Sequence, residues 1–388
     1  MTLSIRPSAA ALTTWDVAGD LLNFLRCGLQ YRYSRPGKPC PSHSAQQFSG
    51  RFLQQVLEDA WLHFKAPASP SFPWPDTALQ ELMDHVEQRL AAHGVRCQSA
   101  LGRHYTRLRA AAAVNELGPL LFPLLCHARL HVRGGSHPQP VADSCDSTSQ
   151  PSWELTSTIH AIARLEPFNP APGSNPLLTL IQQHIPEFHA DTVELIVDFQ
   201  GNQRPDSQQS APLCDDCTQI QIHAASSLYG PRTQHPVVAG MVCYLSELVP
   251  SRRQFRFLRQ TLLQRPDDPA VPSADSLDAR ILRTWKPRSA SELPPLLSLH
   301  FRLQRTIRII PISSTAQQAT LHQLASTIRR INRCRSEEQR SGQILSAWEL
   351  NPSNPAVCNA CDARTWCPGC SSKTTPALPG IARPTTSQ

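Results

Sequence analysis

The sequence predicts an α/β protein, a mixed sheet flanked by helices, and three observations carry that expectation. Apolar residues recur at helical spacing through roughly the first 130 positions. Alternating, β-branched runs begin at Trp153, and helical spacing returns near Ala316.

Taken in order, Trp15, Val17, Leu21, Leu22, Phe24 and Leu25 fit one helix starting near Ser8. A proline-rich break at Pro36 to Pro41 separates it from a second, carrying Phe48, Phe52, Leu53, Val56, Leu57 and Trp61. Further helices are predicted from Asp76 to His93 and from Arg103 to Leu130, the latter with a stripe through Ala110, Ala113, Leu117, Leu121 and Leu125. Gly134 to Ser152, rich in Gly, Ser, Pro and Asp, reads as a loop. Trp153 to Ile162 and Val193 to Phe199 read as strands. A polar loop with Cys214 and Cys217 follows, then a helix from Gln219 ended by Gly230, then a buried strand from Val237 to Leu245. Pro266 to Pro295 yields no assignment. His300 to Ile310 reads as a strand and Ala316 to Cys334 as an amphipathic helix with Leu321, Leu324, Ile328 and Ile331 on one face. Everything after Cys370 reads as a loose tail.

With 388 residues and 40% hydrophobic content, the chain can bury a substantial core. Its net charge of +7 favours a polyanion as partner. Only four lysines occur, Lys38, Lys65, Lys286 and Lys373, so the positive charge is almost all arginine, suited to bidentate phosphate contact. No apolar run is long enough to span a bilayer, and the first thirty residues lack the basic-then-apolar order of a secretory signal; a cytoplasmic location is expected. In a reduced compartment, most of the 13 cysteines are core thiols or ligands rather than disulfides.

The densest group of thiols is Cys358, Cys361, Cys367 and Cys370. Soft sulfur selects zinc or iron–sulfur clusters. A zinc knuckle needs two Cys-x2-Cys pairs with a long spacer, and the five residues between Cys361 and Cys367 are short for that. A cubane cluster accepts three cysteines from one looping segment and a fourth from a distance. The best distant candidate is Cys27, within Leu25-Arg26-Cys27-Gly28-Leu29-Gln30-Tyr31-Arg32-Tyr33. A zinc site on the four C-terminal thiols is the alternative.

In these residues the chain resembles the iron–sulfur branch of the PD-(D/E)XK nucleases: RecB-type and AddB-type recombination nucleases and CRISPR-adaptation exonucleases. That branch places one cysteine in an N-terminal helix and three at the extreme C-terminus, matching Cys27, Cys358, Cys361 and Cys367, with Cys370 surplus. The resemblance implies a restriction-endonuclease-like fold over 1–370, with a helical insertion at about 76–133, a loop at about 134–152 and a disordered tail over 371–388. It also implies a 4Fe-4S cluster clasping the two ends. Such a clasp closes a loop of roughly 330 residues, worth on the order of 5 kcal/mol on chain-entropy reasoning.

The resemblance further implies a site built from two acids and a lysine around Mg2+ or Mn2+. Here the first acid's place is taken by His160, the Asp-x-Lys pair reads Asp198-Phe199-Gln200, and the Gln-x-x-x-Tyr helix motif reads Gln219 to His223. The Gly-x-x-x-His motif of the second helix reads Gly50 to Gln54. Asp198 and Gln219 alone stand as expected, so the resemblance implies a DNA-binding protein of repair, recombination or CRISPR adaptation with a degenerate centre. A helicase or nuclease is the implied protein partner, and no membrane is involved. Two alternatives remain open: an active Mg2+- or Mn2+-dependent exonuclease using Asp198 with Glu194, Glu154 or His160, and a zinc-stapled scaffold. Arg252, Arg253, Arg256 and Arg259, with Arg329, Arg330, Arg333 and Arg335, are candidates for a nucleic-acid path or for solvated helix faces.

Overall fold

Alternation and β-branching put Val193–Gln200 (β4) in the middle of a six-stranded mixed sheet, where seven of its eight residues are buried. The computed structural model describes residues 14–34, 45–67, 70–97, 99–136, 153–166, 175–185, 192–205, 212–288 and 292–350, together with Cys358, Cys361 and Cys367. Residues 371–388, Cys370, the Pro36 to Pro41 break and positions 137–152 of the expected loop lie outside that set.

The described residues begin with a short strand, β1 (Thr14–Asp16), which takes Trp15 out of the expected first helix; the start of that helix at Ser8 lies outside the described residues. Asp16 then caps a π-helical stretch, Val17–Leu22, which leads into α1 (Asn23–Arg26) and α2 (Gly28–Ser34). The helices α3 (Ala45–Phe64) and α4 (Asp76–Ala92) lie where periodicity puts them. The helix expected to run from Arg103 to Leu130 is shorter: α5 (Ala100–Ala112), a π-helical turn and α6 (Gly118–Leu121) give way to a 3-10 turn around Pro123 (Phe122–Leu124), and β2 (Leu125–Ser136) follows. Proline removes an amide and crowds the preceding turn, so the apolar stripe that continues to Leu125 does not continue the helix.

β3 (Trp153–Leu165) follows, then α7 (Pro176–His184), β4, and α8 (Pro212–Tyr229). Cys214 and Cys217 stand inside α8, not in a loop, because the helix begins at Pro212, a residue whose fixed φ and missing amide suit a first turn. β5 (Val237–Tyr244) completes a β4–α8–β5 crossover between parallel strands. α9 (Arg252–Gln264) ends just before the region left unassigned, and α10 (Leu277–Thr284) lies inside it. The strand expected from His300 is helical first, as α11 (Leu299–Thr306), and only then β6 (Ile307–Pro311). Phe301, Leu303, Ile307 and Ile309 alternate like a strand, but the Ser298 hydroxyl caps the first turn and the local bond prevails. α12 (Ser314–Ser341) buries Leu324, Ile328 and Ile331 as predicted, and α13 (Ile344–Ala347) follows.

β2, β3 and β4 form an antiparallel meander, β4 and β5 are parallel, and β6 is antiparallel to β5. β2 runs along one edge of β3. The other edge is shared: β1 pairs with Glu154 to Thr156 and β4 with Ala161 to Leu165. Among the described residues, Ser157 to His160 therefore have no strand partner on that edge, and the sheet opens there. One face packs on α3 to α7 through Val193, Leu195, Val197 and Phe199. The other packs on α1, α2, α8 and α12 through Ile196, Val242 and Ile310. Among the described residues, no helix is long and apolar enough to cross a membrane.

Candidate functional site

The end of β4 meets helix α3 through two glycines. A Cβ built on Gly201 would stand 2.6 Å from the Cα of Gly50 and 3.0 Å from its nitrogen. Backbone cannot give way as a side-chain tip can, so this approach requires glycine at 201. The contact seats α3 so that Gln54 and Glu58, one turn apart, line one small cleft with His160 and Phe199.

Asp198, beside the gap in the sheet rather than in the cleft itself, is 3% exposed and its Oδ1 lies 2.8 Å from Nδ1 of His160. The register explains the meeting, because Ala161 stands opposite Val197 and one further step brings His160 opposite Asp198. The same Nδ1 is 3.0 Å from the Phe199 amide nitrogen, and it cannot accept from that amide while donating to the carboxylate. The carboxylate prevails, since a buried charge left unpaired costs more than a weakened amide bond. The Gln200 side-chain amide donates to Oδ2. Burial pushes the Asp198 carboxyl up, but the His160 ring, in charge and in hydrogen bond, and the Gln200 amide together hold it below the usual carboxylate range. His160 also stacks on Phe199, with centroids 6.3 Å apart.

Of the positions singled out in sequence, His160, Asp198 and Gln200 are thus in direct contact, and Gln54 lines the same cleft as His160. The two other carboxylates considered for Asp198 are elsewhere. Glu194 sits four residues back on β4, about 13 Å along the strand. It is fully buried and accepts from Arg164 at 2.9 Å, Tyr229 at 3.0 Å and Thr233 at 2.8 Å. Burial and that hydrogen bond push the Tyr229 phenol up to about 12. Glu154 pairs with Arg133 near β1. On α8, Gln219 is half-buried, and burial pushes the His223 imidazole down.

The chain ends converge on the sheet face covered by α1, α2, α8 and α12. Cys27 occupies an extended break between α1 and α2, and the Leu29 amide donates to the Glu349 carbonyl at 3.0 Å. Arg32 pairs with Glu338 at 2.6 Å, and Trp348 Nε1 donates to the same carboxylate at 2.6 Å. Phe24, Tyr31 and Trp348 form an aromatic trio with centroids 5.9–6.3 Å apart. Cys27 and Cys367 are half-buried thiols that pack against the same apolar cluster. Both flank Tyr33, whose phenol is pushed up first by burial, then by Cys367 and, past the opposing Arg32 charge, by Cys27. The Cys361 amide donates to the Cys358 carbonyl at 3.1 Å.

Compared with known proteins, the chain matches no family model and no curated protein.

The donor chemistry of Cys27, Cys358, Cys361 and Cys367 suits a soft metal, and two of these thiols, Cys27 and Cys367, pack against one apolar cluster. Among the described residues, however, no three His, Cys, Asp or Glu side chains form a group that could hold a metal ion. Cys217 is buried in α8, remote from surface chemistry, while Cys214's side chain lies outside the described set.

The candidate arginines divide. Arg252 donates to the Glu292 carbonyl and Arg259 to those of Leu282 and Trp285, so both anchor neighbouring segments. Arg330 pairs with Glu349, and Arg335 stacks over Trp15 at 5.1 Å and donates to the Tyr31 hydroxyl at 3.2 Å. Arg253, Arg256, Arg329 and Arg333 are exposed. Sequence reading missed the approach of Gly201 to Gly50, 151 positions apart, and it missed Glu58, one helical turn beyond Gln54.

Proposed function

We propose that this chain is a RecB-type PD-(D/E)XK nuclease-like protein that binds DNA without cutting it. The observation that carries the reading is the fate of Asp198: the core carboxylate that would hold a divalent metal is buried and engaged by His160 and Gln200. A metal-binding acid needs open oxygens and a second charge beside it. Glu194 and Glu154, the acids that an active variant would recruit, are held by other partners.

Three further features support the family reading. The β2–β3–β4 meander followed by the α8 crossover to β5 is the element order expected of a restriction-endonuclease-like core. The Gly50–Gly201 approach brings the second helix to the degenerate Asp198 strand. Cys27 and Cys367 lie against the same cluster, as a 4Fe-4S clasp on Cys27, Cys358, Cys361 and Cys367 requires. Bound there, the cluster would staple the ends of the chain and perform no chemistry on DNA. A role in repair, recombination or CRISPR adaptation, beside a helicase or nuclease, follows from that kinship.

Two measurements test the reading. DNA retained at low salt should be released steeply as salt rises, because arginine contacts to phosphate displace counterions. No retention of duplex, single-stranded or branched DNA at low salt would sink it. Anaerobically purified protein should carry iron and sulfide, and stoichiometric zinc without sulfide would replace the cluster by the zinc site.

A further inference from the structure

The face of the sheet that carries Asp198 changes character in one step. Ile196, Gly240 and Ile310 form an apolar row across β4, β5 and β6, and the next row is Asp198, Val242 and Arg308. Two strand spacings put Arg308 about 10 Å from Asp198 across the sheet. Past the end of β4, the Arg204 amide donates to Glu247 Oε1 at 3.1 Å, and its Nη1 donates to the Gln304 carbonyl at 2.9 Å. The same Nη1 reaches the Ile307 carbonyl at 3.4 Å, which sets the Arg204 guanidinium at the start of β6, one residue before Arg308. Arg305, between them in sequence, is committed to Glu247 Oε2 at 2.7 Å and to the Ala270 carbonyl at 2.6 Å.

Arg204 and Arg308 are both half-buried. Burial and then the Arg204 charge pull Arg308 below its ordinary value, while burial and then Arg305 do the same to Arg204. With the Arg204 guanidinium at the Ile307 carbonyl, next in sequence to Arg308, two like charges share one partly desolvated edge of the sheet, a place that favours an anion, and guanidinium forks match phosphate oxygens bidentately.

We propose that Arg204 and Arg308 form a metal-independent site for a DNA backbone phosphate, at the end of the sheet where a cutting relative would use metal and lysine. The proposal deepens the DNA-binding reading and rests on it. Positive charge from the two guanidiniums takes over the neutralising task, and no bond is broken.

The test is fluorescence anisotropy of 5′-labelled single-stranded DNA against the full-length protein over a salt series, in EDTA. Arg308→Gln should weaken binding about tenfold, and the slope of log K against log salt should fall by about 0.7, the value of one phosphate contact on a single strand. Arg308→Lys keeps the charge and should recover the slope. Arg340→Gln, at the exposed end of α12, should behave as wild type. Arg204→Gln should repeat the Arg308→Gln loss, with a thermal melt confirming that the loop it anchors is still folded. Wild-type affinity and slope in Arg308→Gln would overturn the site, as would binding that vanishes in EDTA and returns with Mg2+. A lysine variant whose slope is as low as that of the glutamine variant would overturn it too, by showing a structural need for the fork. If the wild-type protein binds no DNA, the broader reading fails as well.

Discussion

Removing His160 gives the sharpest test of the pair in the sheet opening. The Asp198 carboxylate is 3% exposed and its described partners are His160 and the Gln200 amide. In His160→Ala the charge remains buried with one hydrogen bond, and breaking such a pair costs about 3–5 kcal/mol. Because Gln200 stays, we expect the lower end, about 3 kcal/mol in urea unfolding at pH 7. Adding Asp198→Asn removes the stranded charge and should return much of the loss, which a double-mutant cycle reads as coupling. The pH dependence has a definite sign. In the wild type the Asp198 carboxyl is depressed, so its contribution is present above the unfolded carboxylate value of about 4 and is lost as pH falls through the folded value. In His160→Ala burial dominates and the carboxyl rises, so the deficit should be largest near neutrality and shrink toward pH 4. A deficit below about 1 kcal/mol that does not change with pH would refute the pairing.

Other expectations follow from single contacts. Gly201→Ala drives a Cβ into the backbone of Gly50 and should cost about 1–3 kcal/mol, with α3 loosened in hydrogen exchange. Trp348→Ala removes the centre of the aromatic trio and the donor to Glu338, so a loss of about 3–5 kcal/mol and early proteolysis between α12 and the C-terminal cysteines are expected; unchanged stability would mean that the ends are not clasped there. Cys27→Ser should abolish iron and sulfide while leaving folded secondary structure measurable by circular dichroism. Retention of full iron content in that variant would remove Cys27 from the ligand set.

Much of the sheet was legible because its strands obey local rules. Val193 to Phe199 and Val237 to Leu245 are apolar and β-branched, and Trp153 to Ile162 alternates. The errors occur where a local rule has two answers. The stripe to Leu125 is equally good as the first residue of β2, and only Pro123 breaks the tie. Phe301 and Leu303 alternate like a strand, yet a serine cap makes them helical. Gly50, His160, Asp198 and Gln200 were found because short motifs flag them. The contact of His160 with Asp198 depends on strand register and that of Gly50 with Gly201 on helix packing, neither of which one sequence prints. Arg204 and Arg308 escaped notice for the same reason: nothing local distinguishes them from the other arginines until β6 is laid beside β5.

The most direct measurement incubates anaerobically purified protein with labelled DNA in Mg2+ and in Mn2+ and follows both mobility and length. A nuclease-like chain whose core carboxylate is tied to His160 should retard the DNA and leave every strand at full length. Metal-dependent shortening that disappears in Asp198→Ala would show that the carboxylate still serves a metal, and would contradict the account.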